Sequence, residues 1–180
     1  MLEEFELTKE FRDRFQKALN EQDNAFILES LGDVNPADIT SLLYEFKGEE
    51  SKYVLDLLPI EIRSKIINDL DPDTRKTFLI TNYEASEITA IVNYLDSDDA
   101  ADILNELPIK MSEEIIARLD ADLKSQVIDL LRYEENVAGG LMAKELIKAK
   151  DYWTVVQCVD EIRKQAENVS KFYAVYVVDD

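Results

Sequence analysis

One 20-residue block occurs twice in this chain, and that repetition constrains the fold more than any other feature. Residues 54–73, VLDLLPIEIRSKIINDLDPD, and residues 103–122, ILNELPIKMSEEIIARLDAD, align without a gap at an offset of 49, with nine identities in 20 positions. The identities are Leu55/Leu104, Leu58/Leu107, Pro59/Pro108, Ile60/Ile109, Ile66/Ile115, Ile67/Ile116, Leu70/Leu119, Asp71/Asp120 and Asp73/Asp122. Pro59 and Pro108 cannot sit inside a helix, so each forces a turn after the preceding Leu. Asp71 and Asp120 are placed to cap the helix that follows, and Pro72 suits its first turn. Each unit therefore reads helix, Leu-Pro break, helix, Leu-Asp cap, helix. Such a unit cannot bury its apolar stripe alone and needs stacked neighbours. The expected fold is mostly α, a right- or left-handed α-solenoid of helix-turn-helix repeats, with the Leu and Ile stripes as core.

The segments ahead of the repeat are helical too. Leu7, Phe11, Phe15 and Leu19 recur every fourth residue, and a short helix is expected near 24–31. Asn35-Pro36-Ala37-Asp38 is a helix start, with Ile39, Leu42, Leu43 and Phe46 as its stripe. Lys47-Gly48 is read as the end of that helix. After Asp120 another helix runs to Arg132-Tyr133. The texture then changes: two of the chain's four glycines fall in Gly139-Gly140. A domain boundary is placed there, giving a helical domain over 1–137 and a second unit over 138–180. The second unit has a short strand at Leu146, Ile147 and Ala149, a helix capped by Thr154 and a strand at 174–178. Strand–helix–strand with open edges is expected to be part of a larger α+β domain.

Composition excludes several functions. Of 180 residues, 39 are Asp or Glu and 20 are Lys or Arg, a formal net charge of −19. That surface repels phosphate backbones, so nucleic acid is not an expected partner, and anionic membrane surfaces are disfavoured likewise. Divalent cations are its natural counterions, although the same charge also serves solubility alone. The chain has no histidine, which removes the commonest general base and the usual imidazole ligand. Its single cysteine, Cys158, cannot form an internal disulfide and is read as a core residue. No apolar run approaches the roughly 20 residues needed to cross a bilayer, and the acidic N-terminus is unlike a signal peptide. No carboxylate pair is supported by a nucleophile or a metal motif, so no enzyme is expected.

Three stretches carry a family resemblance: LDSDDAADILNELP, RYEENVAGGLM, and TVVQCVDEIRKQAE with YAVYVVDD. From about Pro36 to Asp180 the chain resembles the intracellular N domain and the first CBS half-motif of the MgtE magnesium transporter family. The helices alone are also similar to repeats of the flagellar motor switch protein FliG. The MgtE resemblance implies a homodimeric magnesium channel whose cytosolic N domain and paired CBS domains hang below a transmembrane pore. It implies that Mg2+ binds among acidic groups between those domains, compacting them and closing the pore. The partners it implies are Mg2+, the chain's own transmembrane domain and a second CBS copy, with the chain at the cytoplasmic face of the cell membrane. The residues in question are Asp98 and Asp102, four apart and so on one face of a helix. In the family the matching acids face the CBS domains and contribute to metal sites. Gly140 matches a position whose backbone carbonyl can join such a site. Spacing by itself leaves the bland reading open, in which Ser97 or Asp98 caps a helix and the rest is a solvated face. Lys65 stands where some relatives carry a further acid, which argues against that additional site. Two other readings are a FliG-like interaction scaffold and a CBS-linked nucleotide sensor, though no Gly-rich phosphate loop is visible.

Overall fold

The structure is a computed structural model, and it describes residues 7–133, 137–139, 142, 144, 146–165 and 174–179. Among these, ten helices precede a small β-α-β unit. The helices are α1 (Lys9–Glu21), α2 (Asn24–Leu31), α3 (Pro36–Leu43), α4 (Gly48–Leu57), α5 (Ile60–Asp69), α6 (Pro72–Asn82), α7 (Ala85–Val92), α8 (Ser97–Glu106), α9 (Ile109–Arg118) and α10 (Ala121–Leu130). The last unit comprises β1 (Ile147–Lys150), α11 (Val155–Gln165) and β2 (Val175–Val178).

The repeat is larger than its sequence trace. Helices starting at 36, 48, 60 and 72 return at 85, 97, 109 and 121, each 49 residues later. Four helices thus recur, where the sequence displayed only the middle of the unit. Side-chain contacts recur with them. Thr40 Oγ1 donates to the Pro36 carbonyl at 3.0 Å, and its counterpart Thr89 donates to Ala85 at 2.7 Å. The Asp71 backbone N–H donates to the Tyr44 hydroxyl at 3.1 Å, and that of Asp120 donates to Asn93 Oδ1 at 3.2 Å.

From α3 to α10 the principal helix–helix contacts join helices two places apart, while α2 packs chiefly on α1. That step lets the inner helices α5, α6, α7 and α8 bury their stripes against neighbours on both sides. One continuous core results, running from Phe15 through Leu55, Ile66, Ile67, Ile88 and Leu104 to Val127. Each fully buried Leu or Ile contributes roughly 1.5–3 kcal/mol relative to exposure.

Helix starts follow the local chemistry. Thr8, Asp23, Asn35 and Asp71 each accept a backbone N–H with their side chains at the heads of α1, α2, α3 and α6. Three details differ from the sequence expectation. Lys47-Gly48 does not end a helix. α3 stops at Leu43, and Lys47 is the N-cap of α4, where Glu50 reaches back to the Lys47 N–H at 3.0 Å. Gly48 sits at that first turn because an added Cβ would lie 3.3 Å from the Asn82 side chain. Asp120 occupies the cap position of α10 without a side-chain cap bond. Cys158 is half-buried rather than core, since α11 has no buried residue.

In the C-terminal unit, β1 and β2 pair in parallel, Ile147 opposite Val175 and Lys150 opposite Val178. A right-handed crossover through a helix is the standard way to join parallel neighbours, and α11 lies between them in sequence and packs on β1. Thr154 caps α11, accepting from Gln157 N at 3.4 Å. Val155 and Val156 remain 78% and 70% exposed, so this unit lacks a closed core of its own among the described residues.

Candidate functional site

Helix α8 carries the acids that the sequence singled out. Its N-cap is Asp96 in extended backbone, so neither Ser97 nor Asp98 is the cap. Ser97 is the first helical residue and fully buried, while Asp98 and Asp99 occupy the first turn. Carboxylates there are favoured by the positive end of the helix dipole, which accounts for part of the acidity without any ligand. Asp102 follows one turn after Asp98 on the same face and is exposed. Glu106 continues that face by one more turn.

Electrostatics on α8 is unusual in two respects. Asp98 Oδ1 is buried and has no hydrogen-bond partner among the described residues. A buried carboxylate oxygen left so is costly unless a cation or water meets it. Asp99 is held above the ordinary carboxylate range, first by burial. A hydrogen bond from Asn68 opposes this, the charges of Asp98 and Asp96 add to it, and Arg75 opposes it. Like charges packed into one turn disfavour the ionised form unless a countercharge is near.

Arg75, on α6, supplies one such countercharge. It is 7% exposed, and its Nε donates to Glu106 Oε2 at 2.9 Å while a second guanidinium nitrogen pairs with Oε1. The same group donates to the Asn68 carbonyl at 2.6 Å. Burial works against its charge. Glu106, Asp102 and Asp99 outweigh that and raise its affinity for the proton further.

Lys144, beyond α10 in sequence, lies at the head of α8. The Lys144 backbone N–H donates to Ser97 Oγ at 3.0 Å, and its ammonium lies 2.7 Å from Asp129 Oδ2 on α10. Asp129 is held below the usual carboxylate range by Lys144. Gly139 lies against the Tyr133 ring, where a Cβ would come within 2.5 Å of a ring carbon, so this position admits no side chain without displacing the ring. Gly140, the third sequence candidate, lies outside the described residues. Lys65 is exposed on α5.

Structure thus sets Asp98 and Asp102 on one face of α8, as their spacing requires. It adds Asn68, Arg75, Glu106, Asp129 and Lys144, none of which the sequence indicated, and turns Ser97 from a candidate cap into a buried acceptor. These contacts join different helices or segments, Arg75 to Glu106 across 31 positions and Lys144 to Ser97 across 47, and no local pattern encodes them. Among the described residues, no group of three or more His, Cys, Asp or Glu side chains is arranged to hold a metal. The donors on α8 are carboxylate oxygens alone, the hard ligand type that suits Mg2+ or Ca2+ and not the softer transition metals. An ion there would keep several waters or take further ligands from elsewhere.

A mostly helical chain built on a 49-residue repeat, with an acidic first turn on α8 and a small β-α-β unit after the helices, is the class defined by these features. The comparisons give the family. Residues 34–136 match the family model described as the MgtE intracellular N domain, and the chain belongs to that family. It is 32% identical over 167 residues to a magnesium transporter MgtE of Thermus thermophilus, covering 92% of this chain and 37% of that protein. The chain therefore spans well under half of that relative's length. The structure also matches the cytosolic domain of the Mg2+ channel MgtE crystallised with ATP, with a TM-score of 0.83 and 32% identity over 92% of this chain and 67% of that one. A second match is the soluble part of a magnesium transporter, at TM-score 0.80 and 20% identity, covering 95% of this chain and 67% of that one, which supports the fold. Helices of the described residues are all too short or too polar to cross a membrane.

Proposed function

We propose that this chain is the magnesium-sensing regulatory region of a magnesium transporter, acting at the cytoplasmic face of the membrane and not as an enzyme. In this reading residues 1–137 form the N domain, an α-solenoid, and 138–180 begin a CBS domain that is completed by further chain. Mg2+ binds between the acidic face of α8 and the CBS pair. Asp98 and Asp102 supply carboxylates and Gly140 a backbone carbonyl, with water completing the shell. The relation to the cytosolic domains of magnesium transporters supports this, and so does the buried, unpartnered Asp98 Oδ1, the single observation that carries it. A net charge of −19 supplies the driving force. Acidic modules repel one another until a divalent ion sits between them, and charges facing each other within the screening length of about 8 Å are little shielded by salt. Bound Mg2+ then favours the compact form, in which the pore of the homodimer is closed.

The test is small-angle scattering and calorimetry on protein carrying both CBS copies. Mg2+ is expected to reduce the radius of gyration, and Asp98→Ala with Asp102→Ala to abolish most of that change. Unchanged compaction in the double variant would remove these residues from the site. Because one solved relative was crystallised with ATP, nucleotide binding by the completed CBS pair is a second reading. Heat from ATP titration with undiminished Mg2+ response would add it to the first, whereas ATP binding with no Mg2+ response would replace the first.

A further inference from the structure

Asp98, Asp102 and Glu106 follow one another at four-residue intervals, so α8 presents three acids on one face at one-turn spacing. They are not equivalent. Glu106 is gripped by the Arg75 guanidinium through two nitrogens, and the pair is largely withdrawn from solvent, with side-chain exposures of 8% and 16%. Arg75 is itself fixed by the Asn68 carbonyl at the end of α5. The next acids to act on its charge are Asp102 and Asp99. A guanidinium clamped in this way is a permanent cation at one end of the stripe, since it does not lose its proton in the working range.

The arrangement is peculiar to the junction of the two repeats. The position 49 residues after Arg75 is Lys124, which donates to the Ala117 carbonyl as Arg75 does to Asn68. The amide side chain of Asn68 is replaced there by Ala117, and the repeat partner of Glu106 is Leu57. The backbone contact belongs to the repeat, while the ion pair does not.

We propose that Arg75 is a built-in counter-ion that occupies the Glu106 end of the α8 acid stripe, confining a divalent cation to the Asp98–Asp102 end and weakening its binding there. This is a positioning and affinity-setting role, and it rests on the reading of α8 as a cation face. A sensor benefits from such a device. Three acids in a row with no counter-ion would hold a dication at concentrations where it should be released, and one internal cation reduces that attraction.

Site-resolved NMR titration of the chain, following α8 amides, tests this with two probes. The first is Mg2+. The second is hexaamminecobalt(III), which responds to the field of the carboxylates without surrendering its own ligands. Arg75→Met is expected to tighten binding about fivefold and to draw Glu106 into the perturbed set. Combining it with Glu106→Gln should return affinity to that of the parent. Glu106→Gln alone, which keeps a hydrogen-bond acceptor for Arg75, should weaken binding by about the same factor. A merely structural role predicts weaker binding in Arg75→Met and no rescue by the second change. Unchanged or weaker binding in folded Arg75→Met overturns the proposal. Should that variant not fold, Glu106→Gln decides: affinity equal to the parent's overturns it. If Mg2+ perturbs nothing but the cobalt complex follows the expected order, the magnesium reading of α8 fails and the counter-ion stands. A flat cobalt series removes the counter-ion whatever Mg2+ does.

Discussion

At the residue scale, two glutamates show how caps make this fold sensitive to acid. Glu50 accepts the backbone N–H of Lys47 at 3.0 Å, and Glu87 that of Glu84 at 2.8 Å, each closing the first turn of its helix. Both carboxyls are held below their ordinary value of 4.5. For Glu50 the Lys47 N–H is the main cause and the Gln16 amide the next. For Glu87 the Glu84 N–H is the main cause, with burial opposing it and Lys52 assisting. A carboxyl whose folded pKa is depressed binds fewer protons in the native state. Its stabilisation is therefore complete above the unfolded value and is lost as pH falls through the folded one. Glu50→Gln with Glu87→Gln should accordingly melt lower than the parent at neutral pH, and the gap should narrow as pH falls below 4.5 and close once both carboxyls are protonated in the folded protein. Thermal melts across that range check it, and a gap that persists in acid would assign these residues a packing role. Neither cap was read from sequence, because a Lys or a Glu at the N-cap position breaks the usual Ser, Thr, Asp or Asn signature.

At the element scale the two repeats are similar but unequally supported. α5 packs between α3 and α7, whereas α9 has its principal contact with α7. On α5 both Ile66 and Ile67 are fully buried, while on α9 only Ile115 is. Ile66→Ala and Ile115→Ala both open a cavity at a fully buried position and should cost about 2–5 kcal/mol each. The Ile66 variant should lie at the upper end, because packed helices on both sides leave less room for collapse. Urea denaturation measures the difference, and equal losses would show that α9 is covered as fully as α5. The sequence revealed the middle of each repeat because identities persist where Leu and Ile face the core and where Pro breaks the chain. It hid the flanks, since α6 and α10 share little beyond Asp73 and Asp122 although the two helices start 49 residues apart.

At the scale of the whole molecule, Lys144 ties the segment after α10 to the helical stack through Ser97 and Asp129. The contact lies at the head of α8, beside the acids proposed to bind Mg2+, so metal and tether act on the same turn. Lys144→Met removes the ion pair and leaves the backbone bond to Ser97. Hydrogen exchange of 147–150 should then quicken while the midpoint of the helical melt stays near the parent's. A lowered helical midpoint would mean that the tether also supports the stack. The Asp98 and Asp102 face was legible from spacing once the helix was assigned. Arg75, Asn68 and Glu106 were not, since they converge from three helices and each alone resembles an ordinary surface residue.

The amino-acid sequence by itself determined the helical class, the 49-residue period, the positions of the Pro breaks and the acidity of α8. All of these are encoded in residues a few places apart, where backbone sterics and periodicity act directly. Tertiary structure alone decided which acids are left uncompensated. Asp98 Oδ1 is buried without a hydrogen bond among the described residues, and Glu106 gains Arg75, only when the helices are brought together, because charge compensation depends on distance in space and not on separation along the chain.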